Sequence, residues 1–427
     1  MNNLVIICAI LLLVLLFLKV PVYIAVLSAS AVYFIGTPGM NLSIFAQKTI
    51  SGAEGLSLLA IPFFVCAGIF MNYTGVTKRI MNCCEVLTAR MPGGLAQVNI
   101  LLSTLMGGLS GSSLADAAMQ CKMLVPTMES KGYSKSFSTV ITAASGMVVP
   151  LIPPGVGLII YGCINNISIG KLFIAGIGPG IVLCVTLMIF THFLSKKRGY
   201  LPSRTTKIPV SEKIAAVRPA FLPLLLPIII IGGVRIGVFT ASEAGTVAIV
   251  YAVLLGLLYK ELTLKNVMQG CKETVTTTAS IMLIVAAATC FSWILTKEQI
   301  PQQFSQWMIS NIHNKYVFLI MVNIFLLIVG MFIEGNASMI VLAPLLHPVA
   351  MAYGIDDIHF AMVYIFNCTI GAFTPPMGTL MFVSCGITKC PTKDFIKEAV
   401  PFYILFAIDI IVLTYIPQLT TFLVNVL

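Results

Sequence analysis

The chain of 427 residues is 58% hydrophobic and only 9% charged, with a mean hydropathy of +1.01. Soluble domains carry about 25% charged residues, so this composition excludes a soluble enzyme or binding module and defines a polytopic membrane protein. The net charge of +10 does not point to nucleic acid in such a chain, because basic residues of membrane proteins gather in cytoplasmic loops.

Each crossing needs roughly 20 apolar residues. The first run, Leu4 to Leu18, has neither a basic leader nor a small-x-small cleavage site ahead of Lys19, and so reads as a span rather than a signal peptide. Spans are expected at 3–18, 20–37, 56–72, 135–164, 168–194, 217–235, 238–259, 274–296, 358–388 and 398–424. Two further apolar stretches, 95–130 and 316–352, have polar, Gly-rich centres, Leu109-Ser-Gly-Ser-Ser-Leu-Ala-Asp116 and Glu334-Gly-Asn-Ala-Ser338. Each reads as two half-length helices meeting at a tip, a re-entrant hairpin. The segments 76–91 and 260–273 mix charged with apolar residues and are expected in matching places of the two halves. Interfacial helices and solvated connectors both fit them.

The spans at 135–164 and 358–388 cannot be continuous. Pro150, Pro153, Pro154 and Gly155 interrupt the first, and Gly371-Ala-Phe-Thr-Pro-Pro-Met-Gly378 interrupts the second. Proline removes an N–H and clashes with the preceding turn. In hydrocarbon such a break survives only where protein, water or a ligand satisfies the freed backbone groups.

The two halves repeat. Gly132, Pro153, Pro154, Phe173 and Pro179 recur as Gly354, Pro375, Pro376, Phe395 and Pro401, each at an offset of 222, and the tips align as Gly111 with Gly335 after a two-residue shift. Residues 1–194 form the first repeat, 195–216 a linker and 217–427 the second. Each holds five crossings and one hairpin, and an odd number of crossings inverts the second repeat relative to the first. The fold class expected is therefore an all-α polytopic membrane protein of two inverted repeats.

Charge gives the orientation. The long polar stretch Ser195 to Arg218 carries Lys196, Lys197, Arg198, Arg204, Lys207, Lys213 and Arg218, and is placed in the cytoplasm. That choice puts 20 basic residues inside, Lys19 among them, against 5 outside (Lys48, Lys171, Arg235, Lys297 and Lys315). Both termini then face the periplasm or cell exterior.

Unwound carbonyls near Val149 to Pro154 and Gly371 to Pro376 suit a cation, and the half-helix N-termini beside them suit an anion. Ser110, Ser112 and Ser113 add oxygens at the first tip, where Gly111 permits the turn. Oxygen ligands fit a hard monovalent ion such as Na+, and no cluster of His or Cys suggests a transition metal. The twelve Cys form no Cys-x-x-Cys and read as small apolar fillers. No Gly-Lys-Ser/Thr makes a phosphate loop, and the scattered His192, His313, His347 and His359 form no hydrolytic constellation. Asp116, in an apolar hairpin arm, is open to three readings: a contact to substrate, a proton carrier, or a polar group at a watery hairpin mouth. Glu334 lies beside the second tip, with simple exposure to the periplasm as the plainer reading. Asp409 and Arg235 read as structural charges.

Several motifs together resemble the large membrane subunit of tripartite ATP-independent periplasmic (TRAP) transporters. They are Gly55-x-x-x-Leu-Leu-Ala-Ile-Pro-Phe-Phe-x-x-Ala-Gly68, Pro92-Gly-Gly94, Ser110-Gly-Ser112, Ala115-Asp116, Ile152-Pro-Pro154, Tyr161-Gly162 and Thr374-Pro-Pro376. The resemblance implies an elevator-type secondary transporter driven by Na+ rather than ATP. It implies two partners, a small four-helix membrane subunit and a periplasmic binding protein that delivers an organic acid. The small subunit is expected as a separate chain, since no four-helix extension precedes the first span. One Na+ site would involve Ser110, Gly111, Ser113, Gly146, Val149, Ile152 and Pro154. A second would involve Gly335, Asn336, Ser338, Gly371, Thr374 and Met377. Ser112, Asp116, Pro154, Asn336 and Pro376 are the expected substrate contacts. Many relatives have Ser at the position of Gly155, so that hydroxyl is missing here. Sialic acid and C4-dicarboxylates are the two substrate candidates. The alternatives are a stand-alone Na+/anion transporter of the same superfamily and a membrane-embedded enzyme.

Overall fold

Polar residues at the turns start the helices. Ser134, Ser168, Thr240, Thr263, Asn314 and Asp356 each accept a hydrogen bond from a backbone N–H two or three residues on. They thereby satisfy donors that lipid cannot. The computed structural model describes residues 3–18, 20–204, 206 and 208–426. Lys19 and Lys207, two of the cationic positions counted above, lie outside these.

The described residues fold into α-helices with one short 3-10 turn. The first half holds α1 (Asn3–Phe17), α2 (Val22–Gly36), α3 (Leu42–Ser51), α4 (Ala60–Tyr73), α5 (Val76–Thr88), α6 (Gly94–Ser110), α7 (Ser113–Ser130), α8 (Lys135–Gly146), α9 (Val156–Asn165) and α10 (Ile169–Lys197). The second holds α11 (Val210–Arg235), α12 (Ala241–Leu258), α13 (Leu264–Lys297), α14 (Ile300–Asn311), α15 (Lys315–Phe332), α16 (Gly335–Ala352), α17 (Asp357–Phe373), α18 (Thr379–Thr388), α19 (Thr392–Tyr415) and α20 (Gln418–Val426). Among the described residues, α10, α11, α12, α13, α15 and α16 are long and apolar enough to cross a membrane. Two bent pairs, α4 with α5 at 70° and α19 with α20 at 50°, pass the same test together.

The large core runs through both halves, from Phe64 and Met71 on α4 to Phe402 and Phe406 on α19. A smaller one joins α1, α2 and the C-terminal part of α13 through residues such as Val5, Tyr33, Ala287 and Phe291. Apolar side chains also point outward. Ile181, Val185, Ile189 and Phe193 form an exposed stripe at four-residue spacing along α10, the surface a lipid-facing helix presents.

Several boundaries differ from the sequence expectation. Residues 42–51, assigned to no element, form α3 behind an Asn41 cap. The span expected at 398–424 breaks between Tyr415 and Gln418, where Pro417 cannot continue the helix. The segment 260–273 is no interfacial element: from Leu264 on it is the start of α13, whose 34 residues extend about 51 Å at helical rise, well beyond the bilayer core. The matching element to α5 is α14. Tyr73 and Lys297 end α4 and α13, and Val76 and Ile300 start α5 and α14, in both cases 224 residues apart.

Through the tips and breaks the offset is 222 without interruption. Ser110 and Phe332 end α6 and α15, Ser113 and Gly335 start α7 and α16, and Lys135 and Asp357 start α8 and α17. The Pro153-Pro154 and Pro375-Pro376 bonds, both cis, keep the same spacing. The two-residue shift at the tips is therefore wrong. Gly111 corresponds to Ile333 and Gly335 to Ser113, because the first turn passes through left-handed backbone at Gly111, φ +61°, whereas the second is extended at Ile333.

α15 crosses α17 where two backbones touch: a Cβ on Gly330 would lie 2.9 Å from the Gly371 Cα. Gly330→Val is expected to lose at least about 1–3 kcal/mol through overpacking, read as a lower melting temperature in detergent. Gly386→Ala, where a Cβ meets nothing within 4 Å, should be neutral or stabilising.

Candidate substrate and ion site

The hairpin tips and the helix breaks converge on a cavity of about 560 Å³, within the range of small-molecule sites. Ser110 to Ala115, Pro150, Val156 and Gly157 come from the first half. Glu334 to Asn336, Ala372 and Thr379 come from the second, and α4 and α13 close a third side. Four helices begin at its wall: α7 behind Ser112, α9 at Val156, α16 at Gly335 and α18 at Thr379. Each helix start carries a partial positive charge, and those of α7 and α16 are capped by Ser112 and Glu334. No Lys, Arg or His stands among the described residues lining it.

At the first tip, the Ser112 hydroxyl accepts a long hydrogen bond of 3.4 Å from Ala115 N–H. The Ser110 hydroxyl is buried and has no partner among the described residues. The break lies directly against this tip. A Cβ on Gly111 would stand 2.9 Å from the Pro154 carbonyl oxygen, and one on Gly146 would stand 3.3 Å from the Ser113 carbonyl oxygen. Val149 and Ile152 lie against Gly107 of α6. Of the seven residues expected at the first Na+ site, Gly111 thus lies beside Pro154 and Gly146 beside Ser113, while Ser110 lies against Gly68 of α4. Their donors are oxygen only, with an unused hydroxyl among them, as a hard cation requires. A side chain at position 155 would strike the Pro150 carbonyl, so glycine fits this break and a hydroxyl does not.

The second tip differs in its chemistry. Glu334 lines the cavity and caps α16, accepting from Ala337 N–H at 3.3 Å and the Asn336 amide at 2.8 Å. Gly335 and Asn336 also line the cavity. Ser338 is turned away from it, 3.3 Å from the Tyr364 hydroxyl and 3.7 Å from the Cys368 thiol. Thr374 donates its hydroxyl to the Ile370 carbonyl at 2.8 Å. Gly371 and the half-buried Met377 belong to the adjoining break.

Of the expected substrate contacts, Ser112 and Asn336 face the cavity, while Asp116, Pro154 and Pro376 do not line it. Asp116 is buried beneath the tip. Its Oδ2 accepts from Ser103 at 2.7 Å and from the Gln120 amide at 2.8 Å, and Ser103 lies 3.1 Å from the Ser145 hydroxyl. The carboxylate fastens α6, α7 and α8 to one another, since an unpaired charge at that depth is costly. Asp409 is buried on α19 and accepts from the Thr186 hydroxyl at 3.0 Å. The halves also meet behind the cavity, where the Tyr161 hydroxyl on α9 lies 3.2 Å from His347 Nδ1 on α16.

Four polar cavity residues lie in stretches that the sequence reading treated as plain span or connector: Asn72 on α4 and Thr276, Thr277 and Ser280 on α13. Their signal is visible in Thr276-Thr-Thr-Ala-Ser280, a hydroxyl run in a membrane helix.

Among solved structures, the fold is similar to the Alcanivorax borkumensis YdaH transporter, with a TM-score of 0.60 over 92% of this chain and 96% of that chain at 12% identity. Fold and site together define an α-helical polytopic membrane protein built around a central cavity. The family model of the tripartite ATP-independent periplasmic transporter, DctM component, matches residues 9–419. The chain belongs to that family. It is 39% identical over 410 residues to the sialic acid TRAP transporter large permease protein SiaM of Vibrio cholerae, covering 96% of each chain. It is 36% identical over 381 residues to the C4-dicarboxylate TRAP transporter large permease protein DctM of Pseudomonas aeruginosa, covering 89% of each. The 2,3-diketo-L-gulonate TRAP transporter large permease protein YiaN of Escherichia coli is 35% identical over 400 residues, 93% of this chain and 94% of that one.

Asp116→Ala removes the acceptor that Ser103 and Gln120 share and should cost on the order of 1–3 kcal/mol. Ser112→Ala removes one weak cap. Melting curves of the purified protein are expected to show the larger loss for Asp116→Ala.

Proposed function

We propose that the chain is the translocating subunit of a Na+-coupled importer of an organic acid in a bacterial inner membrane. The observation that carries this reading is the convergence of four helix N-termini and two broken-helix backbones on one cavity whose described wall lacks cationic side chains. Helix N-termini favour a carboxylate, and unwound carbonyls favour a cation. Bound side by side in a low dielectric, each offsets the charge of the other, and this interdependence is what couples the two fluxes.

The first Na+ lies between the Ser110 to Ser113 tip and the Gly146 to Pro154 break. The second lies between Gly335 to Ser338 and Gly371 to Met377. The halves are inverted repeats, supported by the unbroken 222-residue offset through tips and breaks, with both termini periplasmic. Tips and breaks pack on each other and move as one body against α4 and α13 in an elevator motion. A small membrane subunit and a periplasmic binding protein, as the family name implies, complete the system. The substrate candidates named by the relatives are sialic acid and C4-dicarboxylates.

Uptake into proteoliposomes tests this. Transport is expected to need the binding protein, the small subunit and an inward Na+ gradient. Movement without either protein would mark a stand-alone transporter, and indifference to Na+ would remove the coupling. Ser110→Ala and Ser112→Ala should raise the Na+ half-saturation several-fold while leaving folded protein intact. Cysteines placed near either terminus should react with an impermeant maleimide from the periplasmic side only.

A further inference from the structure

We propose that the cavity is built for a monocarboxylic acid with a neutral, hydroxyl- or amide-rich body, and that Asn72 and Thr277 read that body. This deepens the transport reading above and rests on it.

The two tips are not equivalent toward an anion. At the first, the start of α7 is capped by the neutral Ser112, through its long bond to Ala115 N–H, and the Asp116 carboxylate of its first turn is taken up by Ser103 and Gln120 beneath the tip. At the second, the Glu334 side chain already occupies the start of α16. A single carboxylate therefore belongs at the first tip. The second carboxylate of a short diacid would reach toward Glu334, with no Lys, Arg or His among the described wall residues to offset either charge. Like charges brought together away from bulk water repel strongly. A hydroxyl or amide N–H in the same place would instead donate to the Glu334 carboxylate.

The facing wall, from α4 and α13, is uncharged, with Asn72, Thr276, Thr277 and Ser280 standing among Val65, Ile69, Ile281 and Ile284. Thr276 and Ser280 give their hydroxyls to their own helix, to the Lys272 carbonyl at 2.5 Å and the Thr276 carbonyl at 2.9 Å. Asn72 and Thr277 make no hydrogen bond among the described residues, are exposed, and line the cavity. A side-chain amide and a hydroxyl both donate and accept, the match for substrate hydroxyl and amide groups. Neither belongs to the tips or breaks that would hold Na+, so they can discriminate between substrates without ligating the ion.

Binding to the purified complex of this chain with its small membrane subunit, by calorimetry and without the binding protein, separates the substrate classes. The probes are sialic acid, gluconate and succinate, in NaCl and in choline chloride. At least one hydroxylated monocarboxylate should bind tenfold or more tighter than succinate. Asn72→Ala and Thr277→Val should each weaken that binding about three- to tenfold, the loss of one or two neutral hydrogen bonds, with Na+ half-saturation unchanged. Thr277→Ser should retain the affinity of the unaltered protein. Succinate binding as tightly as the hydroxylated acids, or unchanged affinity in both variants, would overturn the proposal. The same preference without any Na+ dependence would support it while refuting the coupling. No binding of any of the three acids would refute both.

Discussion

The constraint on which the structure depends is the unsatisfied backbone of two broken helices at membrane depth. Carbonyls freed at such breaks cannot face lipid, and the first break instead lies against a hairpin tip. That contact is close. It leaves no room for a Cβ on Gly111, which would stand 2.9 Å from the Pro154 carbonyl oxygen, and just ahead of the second break Gly330 of α15 and Gly371 of α17 bring two backbones together. Substituting these glycines would separate the oxygen groups that make the site, so packing and function depend on the same contact.

Local conflict at the breaks is offset by ordered polar structure around them. Asp116 with Ser103, Gln120 and Ser145 pins the first hairpin from behind, and Ser338 with Tyr364 and Cys368 pins the second. Asp116 and Ser338 are related by the 222-residue offset, and both turn away from the cavity to hold an arm in place. Helix starts and a few short polar side chains face the cavity among aliphatic residues, and the helix starts offer an anion partial positive charge without a fixed cation.

Much of this was legible in the sequence. The Pro-Pro pairs sit where no continuous helix is possible, and their 222-residue offset recurs in the helix ends around the tips and breaks. Ser110 to Ser113 stood out as oxygen-rich residues in an apolar stretch. Asp116 was misplaced because a carboxylate in a hairpin arm has the same sequence signature whether it faces ligand or a neighbouring arm. Only tertiary packing, through Ser103 and Ser145, decides which. The tip register went astray because Gly111 and Gly335 look alike as letters, while one makes a left-handed turn and the other starts a helix. Asn72 and Thr277 were passed over since a hydroxyl or amide in a span is usually satisfied by its own helix, as Thr276 and Ser280 are.

The central claim, that tip and break together form a cation site beside a carboxylate site, is tested most directly by cryo-EM maps of the membrane complex in NaCl and in choline chloride. Density between the Ser110 hydroxyl and the Pro154 carbonyl, present in Na+ and lost in choline, is the predicted result. Identical maps in the two salts, with those oxygens contacting only protein or water in both, would contradict it.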